Sequence, residues 1–346
     1  MNIHKLVRPF LQNFEPYACA RDEFSGKAEI WLDANENPFE TDINRYPDPY
    51  HKHLKKLISE LKHIHSDNIF LGNGSDEIID LIIRVFCEPK QDSILILPPS
   101  YGMYSVTAKT NDVGVEEVLL FQDFQLDIQK ILSYSGKTNI LFICSPNNPS
   151  GNAMRRVDII EILQQFDGIV VVDEAYADFS EEKSLLYEIE QYNNLVVLQT
   201  FSKAWGMAGA RLGMCFTNND IIQLLNKIKL PYNVNTLSAQ RVAQSIQYHH
   251  NTFETNKLLI LKEREQLYHK LSELKCVVKI HPSDANFLLV QFNKPNEYYK
   301  ALMQAGIIVR NRSNQPLCEG CLRITIGTPE ENSKLITMLT ILQTEL

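Results

Sequence analysis

The sequence has no apolar run long enough to cross a bilayer, no block rich in lysine and arginine, and no Gly/Ser linker, internal repeat or low-complexity tract. These absences argue against a membrane span and against modules strung on a tether. With a net charge of −8 they also argue against a nucleic-acid partner. Cysteine is sparse: seven residues, an odd number, scattered singly except for Cys318 and Cys321. No second pair or histidine accompanies those two, so inert thiols are expected and no metal site is predicted. His51/His53 and His63/His65 are spaced by two in a region that reads as helical, where such side chains point apart. The first fourteen residues lack the apolar core of a signal peptide, which predicts a cytoplasmic protein.

What is present is an ordinary soluble composition, 44% hydrophobic and 22% charged over 346 residues, enough chain for two domains or one large one. Strands are predicted at 93–97, 115–121, 139–144, 169–173, 195–199 and 211–216, several as unbroken apolar runs. Strands buried on both faces and alternating with crossover helices such as 157–165 specify an α/β fold, a mostly parallel sheet with helices on both sides. Residues 30–32 read as a short strand. Residues 71–77 read as a glycine-rich turn opening a helix that Ser75 can cap, with free N–H groups able to hold an anion. Beyond residue 232 come helices at 237–248 and 252–274, then shorter strands and helices of a smaller α+β domain. The expected division is an N-terminal arm at 1–28, packing near the small domain and a dimer partner, a large domain at 29–249 and a small one at 250–346.

The stretch from Thr200 to Gly213 follows the apolar run at 195–198 and carries Lys203. An ammonium buried without a partner costs several kcal/mol, so a lysine at such a strand end needs either exposure or a chemical task. Forming a Schiff base with the aldehyde of pyridoxal 5′-phosphate is such a task, since desolvation frees the amine as a nucleophile. Arg211, eight residues on, suits that cofactor's phosphate. Alone, the stretch fits a surface Lys and Arg on a glycine-rich loop equally well. The upstream strand ends decide, because ligands bind there in open α/β sheets. They supply Tyr101, then Asn147-Asn148-Pro149-Ser150-Gly151, then Asp173-Glu174-Ala175-Tyr176.

With Gly74-Ser75-Asp76, these motifs resemble the fold-type I pyridoxal-phosphate aminotransferases over nearly the whole chain. The resemblance implies a large cofactor-binding domain with a smaller α+β domain. It further implies that Asp173 pairs with the pyridinium N–H, while Tyr176 and Asn148 bond the ring's phenolic oxygen. Tyr101 stacks on the ring, a contact worth about 1 kcal/mol beyond its buried area. The phosphate takes the N–H groups of Ser75 and Asp76, the hydroxyls of Thr200 and Ser202, and Arg211. Lys203 moves the proton as general base and acid. Ser150 stands where many relatives have threonine.

Within the family the likeness is to the branch acting on L-histidinol phosphate with 2-oxoglutarate as amino acceptor. It rests on residues 32–38, 45–48, 99–104 and 320–328, which include Leu32-Asp33-Ala34-Asn35, Arg45-Tyr46-Pro47-Asp48 and Cys321-Leu322-Arg323-Ile324. Arg310 and Arg323 are expected to grip in turn a carboxylate and a phosphate monoester. Tyr17 and Tyr232 add hydroxyls, and Asn35 lines the imidazole end. A homodimer with shared sites is implied, Tyr46 reaching the neighbouring subunit's cofactor phosphate. A phosphorylated-amino-acid decarboxylase or an aromatic aminotransferase on the same fold shares nearly all these residues. A cofactor-sensing regulator would need a nucleic-acid-binding domain, for which the arm before Trp31 is too short.

Overall fold

A computed structural model of the chain describes residues 3–16 and 28–345. Seven strands, β1 (Ile69–Asn73), β2 (Ser93–Ile96), β3 (Gly114–Glu117), β4 (Ile140–Cys144), β5 (Ile169–Asp173), β6 (Leu195–Thr200) and β7 (Leu212–Phe216), form one sheet in the order β1-β7-β6-β5-β4-β2-β3. Pairings β2·β3, β2·β4, β4·β5 and β5·β6 are parallel, whereas β7 is antiparallel to both β6 and β1. Thus β7 alone runs against the other six.

The central strands are apolar without a break because both faces are covered. Leu141, Ile143, Val170, Val172, Leu195 and Val197 join one buried cluster. Their alternate neighbours Ile140, Phe142, Ile169, Val171, Val196 and Leu198 join another on the opposite face. A period of two on a sheet packed on both sides produces this division.

A four-stranded antiparallel sheet, β10-β11-β9-β8, forms the smaller unit from β8 (Val277–Ile280), β9 (Phe287–Phe292), β10 (Arg310–Asn311) and β11 (Cys321–Thr325). It has its own core with Leu267, Leu271, Leu302, Leu335 and Leu339. The 23-residue helix His250–Ser272, about 34 Å long at 1.5 Å per residue, connects the two. Its Phe253 packs with Tyr176, Phe179 and Phe287 at the junction, and its Leu267 and Leu271 enter the smaller core. Where the smaller unit meets the Asn-Pro loop, Gly151 adopts φ +90, and a Cβ there would stand 2.5 Å from Ser283 Oγ. The Gly151 carbonyl accepts from Asp284 N–H at 2.7 Å, and Asp284 Oδ2 accepts from Ala153 N–H at 2.7 Å.

Several local expectations change. Residues 30–32 form no strand, and Ile30 and Leu32 are exposed. Residues 71–73, expected as the start of a turn, are instead the end of strand β1. Strand β3 is shorter than the expected 115–121. Of the expected arm, residues 3–16 do not lie by the smaller unit: Ile3, Val7 and Leu11 are buried in the cluster holding Ile78, Ile82 and Phe86, against the large sheet. Arg8 Nε reinforces that docking with a 3.1 Å bond to Glu88. Residues 17–27 lie outside the described residues. Among the described residues, no helix is long and apolar enough to cross a membrane. Cys318 and Cys321 are buried, and burial pushes their thiols up to about 12 and about 11, away from the reactive thiolate.

Candidate active site

The reversed direction of β7 has a direct consequence for the site. Its start, rather than its end, lies at the edge where β1, β4, β5 and β6 terminate, so Arg211, just before Leu212, arrives beside the strand-end loops. At that edge β1 leads through Gly74 into the helix Ser75–Phe86. Gly74, not Ser75, occupies the cap position, and with no side chain it leaves the first-turn N–H groups uncapped. Gly74 adopts φ +77, and a Cβ there would stand 2.7 Å from Arg211 Nη2, so the guanidinium lies directly over the glycine. Arg211 itself is left-handed at φ 50, an uncommon conformation for a residue with a side chain. Arg211 Nη2 donates to Asp76 Oδ2 at 3.4 Å, and Tyr101 Oη donates to Asp76 Oδ1 at 3.0 Å. Thr200 Oγ1 donates to Ser202 Oγ at 3.0 Å and accepts from Ser202 N–H at 3.1 Å. Hydroxyls, a guanidinium and a helix N-terminus thus surround one spot, the arrangement that holds a phosphate.

Across the cavity Asp173 ends β5, only 3% exposed. Burial raises its pKa, opposed by the Tyr104 hydroxyl, which donates to Oδ2 at 2.7 Å, and by Ala175 N–H, which donates to Oδ1 at 3.1 Å. Lys203 opens onto the same space, its Nζ 5.6 Å from the Tyr176 ring centroid. Burial, then the charge of Arg323, lowers the pKa of Lys203, the direction that makes a neutral amine available. Tyr176 is buried, packs edge-on to Phe287 at 5.2 Å, and has its pKa raised by burial. Arg323 Nη1 donates to Asn148 Oδ1, and the guanidinium lies 5.3 Å from the Phe287 ring. That bond leaves the Asn148 amide N–H pointing its donor function elsewhere.

One cavity of about 360 Å³ is lined by Ser75, Asp76, Tyr101, Asn148, Asp173, Tyr176, Thr200, Ser202, Lys203, Arg211, Arg310 and Arg323. The remaining described candidates, Asn35, Tyr46 and Tyr232, line a separate hollow of about 510 Å³, where the two tyrosine rings stack at 4.4 Å. Tyr17 lies outside the described residues. Two residues escaped the sequence reading. Tyr104 sits one helical turn after Tyr101, fully buried beneath it and stacked on Phe142 at 4.6 Å. Arg312 lines the cavity beside Arg310, and its spacing of two from Arg310 in extended chain was the available signal.

The donor set fits pyridoxal 5′-phosphate on the structure's own terms. The uncapped helix start and Arg211 supply an anion cradle, the buried carboxylate of Asp173 lacks a cationic partner at bonding distance among the described residues, and Lys203 supplies the amine. The family model described as aminotransferase class I and II matches residues 25–339. A histidinol-phosphate aminotransferase of Christiangramia forsetii is 50% identical over 347 aligned positions, covering 99% of each chain. The crystal structure of the histidinol-phosphate aminotransferase from Clostridium acetobutylicum is similar with a TM-score of 0.81, at 27% identity, over 88% of this chain and 92% of that one. That from Sinorhizobium meliloti, in complex with pyridoxal-5′-phosphate, shares the fold with a TM-score of 0.81 at 21% identity, over 88% and 84%.

Proposed function

The chain belongs to the class I and II aminotransferases and is similar along its length to their histidinol-phosphate members, and from that membership we propose that it transfers the amino group of L-histidinol phosphate to 2-oxoglutarate. The products are imidazole acetol phosphate and L-glutamate. The observation that carries this reading is the cavity itself, in which one amine, one buried carboxylate and arginines on the opposite wall face a common space.

Pyridoxal 5′-phosphate, when bound, supplies an aldehyde and an electron-withdrawing ring that stabilises negative charge on the substrate carbon. Ser75 and Asp76 N–H groups, the hydroxyls of Thr200 and Ser202, and Arg211 hold its phosphate. Asp173 keeps a proton at the ring nitrogen, the cationic partner that offsets the carboxylate's burial. Tyr101 packs against the ring. The Tyr176 hydroxyl and the Asn148 amide donate to the phenolic oxygen, Asn148 being oriented by Arg323 through its own Oδ1. With the cofactor bound, Lys203 Nζ would take the proton from the substrate's amine-bearing carbon and deliver it to the cofactor's aldehyde carbon, a task suited by its lowered pKa. Arg310 and Arg323 bind the acidic group of whichever substrate is present, phosphate or carboxylate.

A homodimer with shared sites completes this reading. Tyr46 and Tyr232 lie in the second hollow rather than beside Lys203, and the same hollow is lined by the exposed apolar side chains of Ile43 at 54% and Leu237 at 61%. Apolar exposure on that scale marks a contact surface. Tyr46 then presents its hydroxyl to the cofactor phosphate of the neighbouring subunit, with Asn35, Tyr232 and Tyr17 serving the substrate. The six described cysteines, all buried and unpaired, suit a cytosolic enzyme.

The deciding experiment compares kcat/KM for histidinol phosphate, phenylalanine and threonine phosphate in wild type and Arg323→Ala. Histidinol phosphate is the preferred wild-type substrate, and Arg323→Ala lowers its kcat/KM by about 2–3 kcal/mol, roughly 30- to 150-fold. A preference for phenylalanine, or carbon dioxide released from threonine phosphate, overturns the assignment.

A further inference from the structure

The wall of the cavity contributed by the smaller sheet carries an excess of positive charge that the proposed reaction with a carboxylate does not account for. Strands β10 and β11 place Arg310 directly opposite Arg323. Like charges at facing positions of an antiparallel pair repel. The Arg312 N–H then donates to the Cys321 carbonyl at 2.9 Å, continuing the ladder one step past β10. Extended chain alternates its side chains, so Arg312 projects to the same side as Arg310. All three guanidinium groups line the cavity.

Among the described residues, neither Arg310 nor Arg312 has an ion pair or a side-chain hydrogen bond, and Arg323 has only the neutral Asn148. The Arg312 Nε is buried with no acceptor. Burial, then the charges of Arg323 and Arg310, bring its pKa down to about 10. The two carboxylates lining the cavity are engaged elsewhere: Asp76 with Tyr101 and Arg211, Asp173 with Tyr104 and Ala175. Three converging guanidinium groups with no counter-charge require an anion with more than one negative charge and more than two acceptor oxygens. A carboxylate has one charge and two oxygens. A phosphate monoester has about −1.5 to −2 at neutral pH and three terminal oxygens.

We propose that Arg312 is the third arm of the substrate's phosphate site and sets the preference for a phosphate monoester over a carboxylate. Arg310 and Arg323 suffice for the singly charged acid. Arg312 meets the additional charge and third oxygen, and its buried Nε gains the acceptor it lacks.

The inference rests on histidinol phosphate being a substrate, and its test separates the two. Single-turnover reactions of the holoenzyme with histidinol phosphate and with L-glutamate are followed through the cofactor absorbance, in wild type, Arg312→Gln and Arg312→Lys. Arg312→Gln lowers the ratio of kcat/KM for histidinol phosphate over glutamate at least about tenfold, the loss of one charge-assisted bond. Arg312→Lys, which keeps the charge but not the fork, gives an intermediate ratio. Competitive inhibition of the holoenzyme by inorganic phosphate weakens in the same order. Equal losses for both substrates, or a ratio within about threefold of wild type in both variants, overturn the role of Arg312. Should Arg312→Gln fail to fold, Arg312→Lys and the phosphate inhibition decide alone. A wild type that does not convert histidinol phosphate overturns the underlying reading instead, and with it this inference.

Discussion

Tyr104→Phe removes one oxygen from the core and nothing else. The ring keeps its stack on Phe142, 4.6 Å away and 12° from parallel, and its edge contact with Tyr101 at 5.5 Å. What is lost is the 2.7 Å hydrogen bond to Asp173 Oδ2, leaving that carboxylate with the Ala175 N–H alone. A hydrogen bond to a charged group contributes about 1.5–3 kcal/mol. Losing it moves the pKa of Asp173, already raised by burial, further up. Below that pKa the carboxyl must shed a proton before it can pair with the ring N–H. Cofactor affinity of the stripped protein therefore falls as pH falls, and begins to fall at higher pH in the variant. Fluorescence titration of both proteins with pyridoxal 5′-phosphate across the pH range cancels the cofactor's own titration. The ratio of dissociation constants is near one at high pH and climbs to about 10–100 as pH drops below both pKa values. A ratio independent of pH refutes the reasoning. Stability of the cofactor-free protein follows the same linkage. The folded state holds the Asp173 proton more tightly than the unfolded chain, so this contribution is full below the ordinary carboxyl range and is lost as pH rises through the folded value. Tyr104→Phe extends that window upward.

Lys203→Ala abolishes turnover on its own, and borohydride reduction of the wild-type holoenzyme followed by peptide mapping marks Lys203; label on another lysine refutes its assignment. After subunit exchange, a one-to-one mixture of Lys203→Ala and Tyr46→Phe chains exceeds the mean activity of the two parents if sites are shared, and stays at that mean if they are not. Gly151→Ala lowers the melting temperature, with about 1–3 kcal/mol lost to the φ +90 backbone and a further steric loss against Ser283. An unchanged melting temperature for Gly151→Ala refutes the account.

The strand ends were legible because each central strand is an unbroken apolar run, and the polar residues closing those runs, Asp173 and Thr200 among them, sit where the sheet opens. Strand β1 was not, because Gly72 and Asn73 read as turn formers, and only its pairing with β7, over a hundred residues away, makes them strand. Tyr104 looks like a core aromatic in sequence and is one; its second task depends on a hydroxyl meeting a carboxylate 69 positions later. Arg312 escaped because the ladder bond that aims it comes from Cys321. No local pattern separates Tyr46 and Tyr232 from the residues around Lys203, since which cavity each lines is a property of the tertiary packing.

The connection between β6 and β7 begins beside the proposed nucleophile and ends at the proposed phosphate ligand, and it is clamped at its base by the Phe201 N–H bond to the Leu212 carbonyl at 3.2 Å. It therefore acts as a gauge. The bonds of the cofactor fix the separation of its aldehyde and phosphate, and the chain between Lys203 and Arg211 must deliver an amine and a guanidinium at matching separation. One residue inserted there alters the gauge even if every side chain is retained, whereas substitutions at Ala208 or Gly209 that preserve the turn leave it set. In this segment the number of residues is under tighter constraint than their identity.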